Sequence, residues 1–283
     1  MSLNHRIIYS DNGTLTDLTG TLNNYKSTTQ AFSWVAAQDY LYISSILPFN
    51  HQYFSVTTAN ASAALISIDL WNGSSWESAV DIHDGTLDAT RTIAFSQSGH
   101  VTFALDKTKQ WPRSDTDKMT NSGISSLKIF DHYWCRLSLN ANISFTLKYI
   151  GQKFSEDEDL AVLYPDLSTS DAKLQFNNGV AGKTTWDDQH IAASEIIIRD
   201  LENIYQIRSG SQIIRYHRLT HASIHKVAEI IFNSHGNDGR ANRDDARLQY
   251  EESIKFTNTQ FDQNANTRLD EFEGIPNLRV VRR

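Results

Sequence analysis

A change of hydrophobic period near Phe154 limits what this chain can fold into more than any other feature. Upstream, apolar and polar residues alternate: in Ile143-Ser-Phe-Thr-Leu-Lys-Tyr149 every odd position is apolar or aromatic, the mark of a strand with one buried face. Val101/Phe103/Leu105 and Ala64/Ile66/Ile68/Leu70 repeat the pattern. Tyr40-Leu-Tyr-Ile43 and Tyr53-Phe-Ser-Val56 add aromatic and β-branched runs that suit a pleated surface. Asn72-Gly73 accepts positive φ, so Trp71-Asn-Gly-Ser-Ser-Trp76 predicts a hairpin in which Trp71 ends one strand and Trp76 begins the next. Asp84-Gly85 and Ser98-Gly99 mark further turns, and Lys107 to Ser126, poor in apolar residues, reads as a long surface loop.

Downstream the apolar spacing is helical. Ser155 is placed to cap a helix that opens on acidic residues and stops at Pro165. A polar loop follows to Trp186, and Asp187-Asp188 cap a second helix with Ala193, Ile197, Leu201 and Ile204 on one face. A third, from about Leu219 to Phe232, carries Ile224, Val227, Ala228, Ile231 and Phe232 and is ended by Gly236 and Gly239. The fourth runs from Asp244 to Phe256 with Glu251 and Lys255 paired at i,i+4. The expectation is an α+β multidomain protein: an antiparallel, jelly-roll-like β-sandwich over 1–153 and an α-helical bundle over 154–283.

At 283 residues and 40% hydrophobic, the chain can fill two cores. Residues 154–283 hold 15 Lys/Arg against 21 Asp/Glu and so carry nearly all of the net charge of −7. That balance opposes sequence-independent nucleic-acid binding, which needs clustered cations. Cys135 is the one cysteine; it excludes an intrachain disulfide and a thiolate metal cluster and reads as a buried, inert thiol. No uncharged run approaches the length of a signal core or a bilayer span, so the expectation is a soluble protein made in a cytoplasm, with no membrane partner.

Several residue sets carry possible chemistry. Asp262, Asn264, Asn266, Asp270 and Glu273 occupy positions 1, 3, 5, 9 and 12 of an EF-hand calcium loop. Thr267 stands at position 6, where glycine makes the sharp turn, which weakens or removes calcium affinity; otherwise the stretch is a polar turn capped by its own Asx side chains. No other cofactor is called for. His217, His221 and His225 recur every four residues, and one helix can present His221 and His225 to a metal. Without a zincin-like glutamate they read as solvated or interface histidines. Gly179-Val-Ala-Gly182-Lys183-Thr184 is an incomplete phosphate loop, with Asn177 where the first glycine belongs. Trp71, Trp76 and Trp111 form a sugar-stacking platform in one reading and core or edge residues in the other. Asp69, Asp81 and His83 are the scattered groups a hydrolase would have to use, but they form no recognisable catalytic pair, and no enzyme is expected.

Taken together, Ala193-Ser-Glu-Ile-Ile-Ile-Arg-Asp-Leu201, Ser211-Gln-Ile-Ile214, Leu219-Thr-His-Ala-Ser-Ile-His-Lys-Val-Ala-Glu-Ile-Ile-Phe232, Tyr250-Glu-Glu-Ser253, the Asx-rich loop and Arg279-Val-Val-Arg282 resemble the head-to-tail connector, or adaptor, proteins of tailed bacteriophages over 154–283. The tryptophan hairpin and Tyr133-Trp-Cys-Arg136 are similar to sandwich modules of phage virion proteins. The resemblance implies a homo-oligomeric ring, commonly dodecameric, in the virion neck. It docks on the portal, meets tail completion, stopper or terminator proteins, and lets packaged DNA pass without sequence-specific binding. Leu278, Arg279, Val280, Val281, Arg282 and Arg283 would be the portal-contacting arm, and Ile197, Leu201, Val227, Ile231 and Phe232 the helical core or interface. Minimal adaptors lack the β part, which would widen the collar or anchor fibres. The alternative is a tail-fibre or baseplate component that binds host carbohydrate through the sandwich.

Overall fold

A computed structural model describes residues 5–106, 108–176, 184–205, 210, 213, 216–234 and 239–255. The fold is α+β, with two antiparallel sheets of six and five strands and six α-helices among the described residues. The chain divides into two compact units after Gly151.

In the first unit, β1 (His5–Asp11), β2 (Thr14–Asp17), β4 (Tyr40–Ser45), β6 (Ile66–Trp71), β7 (Trp76–Ser78) and β10 (Tyr133–Leu139) form one sheet in the order β2-β1-β4-β10-β6-β7. The other contains β3 (Gln30–Trp34), β5 (His51–Thr58), β8 (Val80–Asp84), β9 (Gly99–Ala104) and β11 (Ile143–Gly151) in the order β3-β11-β5-β9-β8. A four-residue helix, α1 (Thr19–Leu22), follows β2. The alternating runs become strands as expected, and their apolar faces share one cluster: Ile7, Ile43, Ile68, Leu70 and Leu137 from the first sheet with Phe32, Phe54, Val101 and Phe145 from the second. Phe145 stacks on Phe32 at 5.0 Å and on Phe95 at 4.4 Å. Trp71 and Trp76 face each other across the predicted hairpin, where Gly73 takes φ +102° and Asn72 Oδ1 accepts from the Ser74 and Ser75 amides.

The stretch expected as a surface loop is packed instead. Trp111, Thr116, Met119 and Ile124 are all buried: Trp111 joins the core shared by the two sheets, and Met119 and Ile124 pack on the opposite face of the six-stranded sheet, which also carries large rings. Ile8, Tyr42, Trp71 and Trp134 point away from the shared core, and Met119 and Ile124 cover them. Some polar tips are satisfied in the process: Trp111 Nε1 donates to Trp134 O at 2.9 Å, and Trp76 Nε1 and the Tyr42 hydroxyl both donate to Ser122 O, whereas Trp71 Nε1 and Trp134 Nε1 are buried without a partner. At the far rim of the five-stranded sheet, β8 exposes Val80 and Ile82; its register breaks between Val80 and His83, where Asp81 takes φ +52°.

The second unit contains α2 (Asp157–Leu163), α3 (Ser170–Phe176), α4 (Asp187–Tyr205), α5 (Thr220–Ser234) and α6 (Arg240–Lys255). Helix α3 lies inside the stretch expected as loop. The α2 cap also differs from expectation. Glu156 is the N-cap, in a reciprocal box with Asp159, and Ser155 points inward. Helix α5 packs against α2, α4 and α6. The Lys226 ammonium lies 3.9 Å from the Tyr250 ring centre, while the Tyr250 hydroxyl donates to Asp200 at 2.6 Å, so one residue of α6 is held from α5 and α4.

Ile124→Ala should cost about 2–4 kcal/mol in urea unfolding, as for a buried aliphatic side chain. Leu65→Ala, at 46% exposure, should cost no more than about 0.5 kcal/mol. Equal costs would show that the covering segment is not packed.

Candidate functional site

The most concentrated chemistry in the helical unit begins at Lys153. Its side chain is 1% exposed, a position a cation occupies only when paired. Two carboxylates meet the ammonium, Glu156 from the α2 cap and Asp187 at 2.5 Å from the first residue of α4. The two acids read from the sequence as an α4 cap therefore divide their work, with Asp187 inside the helix binding Lys153. Burial raises the Glu156 pKa, and the Lys153 charge opposes that rise.

A second network lies beside it. His190 of α4 contacts the Ser155 hydroxyl through Nδ1 at 2.7 Å, and Ser155 contacts the Ser223 hydroxyl of α5 at 2.7 Å. On the other side of the ring, Nε2 is 3.3 Å from Asp157 Oδ1, close enough for attraction without the alignment of a full hydrogen bond. Asp157 also binds Lys173 at 3.0 Å and the Trp186 amide at 3.0 Å. Burial pushes the Asp157 carboxyl up, but contacts with His190, Lys173 and the Trp186 amide outweigh it and hold the pKa at about 2. Burial lowers the His190 pKa, so the ring is neutral. A consistent proton order runs from Ser223 to Ser155 to His190 Nδ1, leaving the Nε2 proton facing Asp157.

Hydroxyl, imidazole and carboxylate in that order make the constellation of an activated nucleophile. Here Ser155 is 3% exposed and His190 and Ser223 are 0%, so the hydroxyl is enclosed in the interior. The arrangement joins α2, α4 and α5. Sequence reading missed it because Ser155, Asp157, His190 and Ser223 lie on separate elements with no shared spacing.

Of the helical core or interface residues, Ile197, Leu201, Val227 and Ile231 are fully buried within their own unit, and Phe232 packs half-buried against the same interior. The arm Leu278–Arg283, the calcium set Asp262, Asn264, Asn266, Asp270 and Glu273, and most of the phosphate-loop stretch lie outside the described residues. The sugar platform does not form: Trp71 and Trp111 are buried, and the half-buried Trp76 lies against the Arg136 guanidinium at 5.0 Å. Asp69 is bound to Arg136 at 2.7 Å and accepts from Ser78. Cys135 is buried, and desolvation drives its thiol pKa far up, as for an inert thiol. Among the described residues no helix is long and apolar enough to cross a membrane. Comparison with protein-family models, curated proteins and solved structures finds no match to this chain.

Both networks should report their burial in stability. Asp187→Ala leaves the ammonium with one carboxylate and should cost on the order of 3 kcal/mol. Lys153→Met should cost less than half of that, because Glu156 and Asp187 are 41% and 25% exposed and water can reach them. Denaturant midpoints of the two variants test the asymmetry.

The pH dependence has a definite sign. A histidine whose folded pKa is lowered from 6.5 stabilises the fold above that value and loses the contribution as pH falls. Asp157 loses its own share lower, between 3.8 and about 2. His5, His132 and His225, each lowered to about 4 with burial as the main cause, add to the same slope, so the urea midpoint should fall between pH 7.5 and 5.5 and His190→Gln should remove its share of that fall. An unchanged slope in the variant would exclude His190 as one of its sources.

Proposed function

We propose that the chain is a structural component of a tailed-phage particle: an adaptor subunit of the neck ring between portal and tail, acting through interfaces and not through bond chemistry. The observation that carries this reading is the set of large apolar side chains left outward on three helices. Val162 and Leu163 on α2 are 78% and 41% exposed, Leu248 on α6 is 60% and Ile204 on α4 is 49%. A contiguous exposed apolar patch marks a binding face; the reading takes these side chains as parts of such faces, and a ring multiplies a modest contact around a closed circle. The buried apolar stripe of α4 and α5 is spent inside the unit, so contacts between copies would use these outer residues instead.

The reading also takes residues 5–151 as a jelly-roll sandwich and the helical unit as a bundle. Strand order supports the first. β3-β11-β5-β9 in one sheet and β4-β10-β6-β7 in the other place successive strands β3, β4, β5 and β6 in alternate sheets, as a double Greek key does. The acidic charge of 154–283 supports passage of DNA, since negative walls do not adhere to phosphate. The resemblance of this region to connector proteins adds the portal as partner, with Leu278–Arg283 as its contact.

Light scattering after size exclusion, with the protein alone and mixed with its cognate portal, tests the proposal. A closed multimer or a stable portal complex is expected. Leu248→Asp and Val162→Asp should reduce the assembled mass without lowering the melting temperature, and deletion of 278–283 should abolish portal binding. A strict monomer that ignores the portal overturns the assignment.

A further inference from the structure

Helix α5 carries two histidines one turn apart whose rings touch. The His221 and His225 centroids are 4.6 Å apart, edge to face at 80°. Spacing of four residues puts both on one helical face. Each ring is held through the same nitrogen. His225 Nδ1 lies 2.8 Å from the Tyr164 hydroxyl, just past α2, and His221 Nδ1 lies 3.1 Å from the Ser253 hydroxyl on α6. An imidazole that gives its Nδ1 proton to an oxygen keeps its lone pair on Nε2, the form and orientation in which histidine binds metals.

His225 is 6% exposed, and its Nε2 is buried without a hydrogen-bond partner. Whichever tautomer is present, the contact with Tyr164 leaves one polar nitrogen in the interior unmatched, an arrangement that needs a reason. His221 is the exposed member of the pair and opens its side of the pair to solvent.

We propose that His221 and His225 are the protein ligands of a divalent transition-metal site, binding a borderline ion such as Zn2+ through both Nε2 atoms. Imidazole pairs select zinc, nickel and copper over calcium and magnesium, which take oxygen ligands. Among the described residues no group of three His, Cys, Asp or Glu side chains is placed to hold an ion, so the remaining positions fall to water. Because Tyr164 and Ser253 orient the rings from outside α5, ion binding would brace α5 against α6 and against the end of α2. The site does not depend on the assembly role.

The test uses the full chain in chelator-treated buffer. Zn2+ titration should raise the melting temperature and give one bound ion per chain by calorimetry, and Co2+ should give a d–d absorption band. His221→Asn and His225→Asn should each abolish the rise, and His217→Asn should retain it. If His225→Asn does not fold, the exposed His221→Asn decides. No rise in the unmodified protein, or a rise that survives in His221→Asn, overturns the site.

Discussion

A sheet that is apolar on both faces must be covered twice, and this constraint organises the first unit. β4 and β10 send Ile43 and Leu137 toward the other sheet and Tyr42 and Trp134 the opposite way. Leaving such a ring in water forfeits roughly 4–6 kcal/mol of transfer free energy for a side chain of about 150–250 Å². That is enough to recruit an irregular segment as a second lid. The lid is irregular because its task is to fit the relief of several rings and to offer the Ser122 carbonyl to two polar tips, the Tyr42 hydroxyl and Trp76 Nε1.

This double covering also explains which parts of the fold were legible. β6 and β11 alternate cleanly because polar residues occupy much of their second face, and their strands follow from the residues alone. β4 reads Tyr-Leu-Tyr-Ile, without alternation, and its lid has too few apolar residues to signal burial. The few it has, Trp111, Met119 and Ile124, all go inside. Composition averaged over a segment cannot report where three side chains will point. Helices α4 and α5 were legible from their apolar stripes, whereas α3 was hidden in a polar stretch.

The candidate chemistry was less legible for a related reason. A period identifies residues on one element, but the His190 network draws from α4, α5 and the residues before α2, so only the tertiary fold brings them together. The His221/His225 pair is the opposite case: its spacing was visible, while the oxygens that orient the rings come from other elements. Lys153 shows a third limit. A lysine reads as a surface residue, and only its pairing with Glu156 and Asp187 makes an interior position tolerable.

The kinked outer strand β8 has a consequence for life at high local density. A straight rim bearing Val80 and Ile82 would offer a ladder of free amides and carbonyls to the same rim of a neighbour. The left-handed Asp81 and the broken register beside it interrupt that ladder and put a charge in the middle of it. Crowded molecules are thereby discouraged from zipping edge to edge into fibrils, and association is left to surfaces where geometry, not backbone stickiness, decides the match.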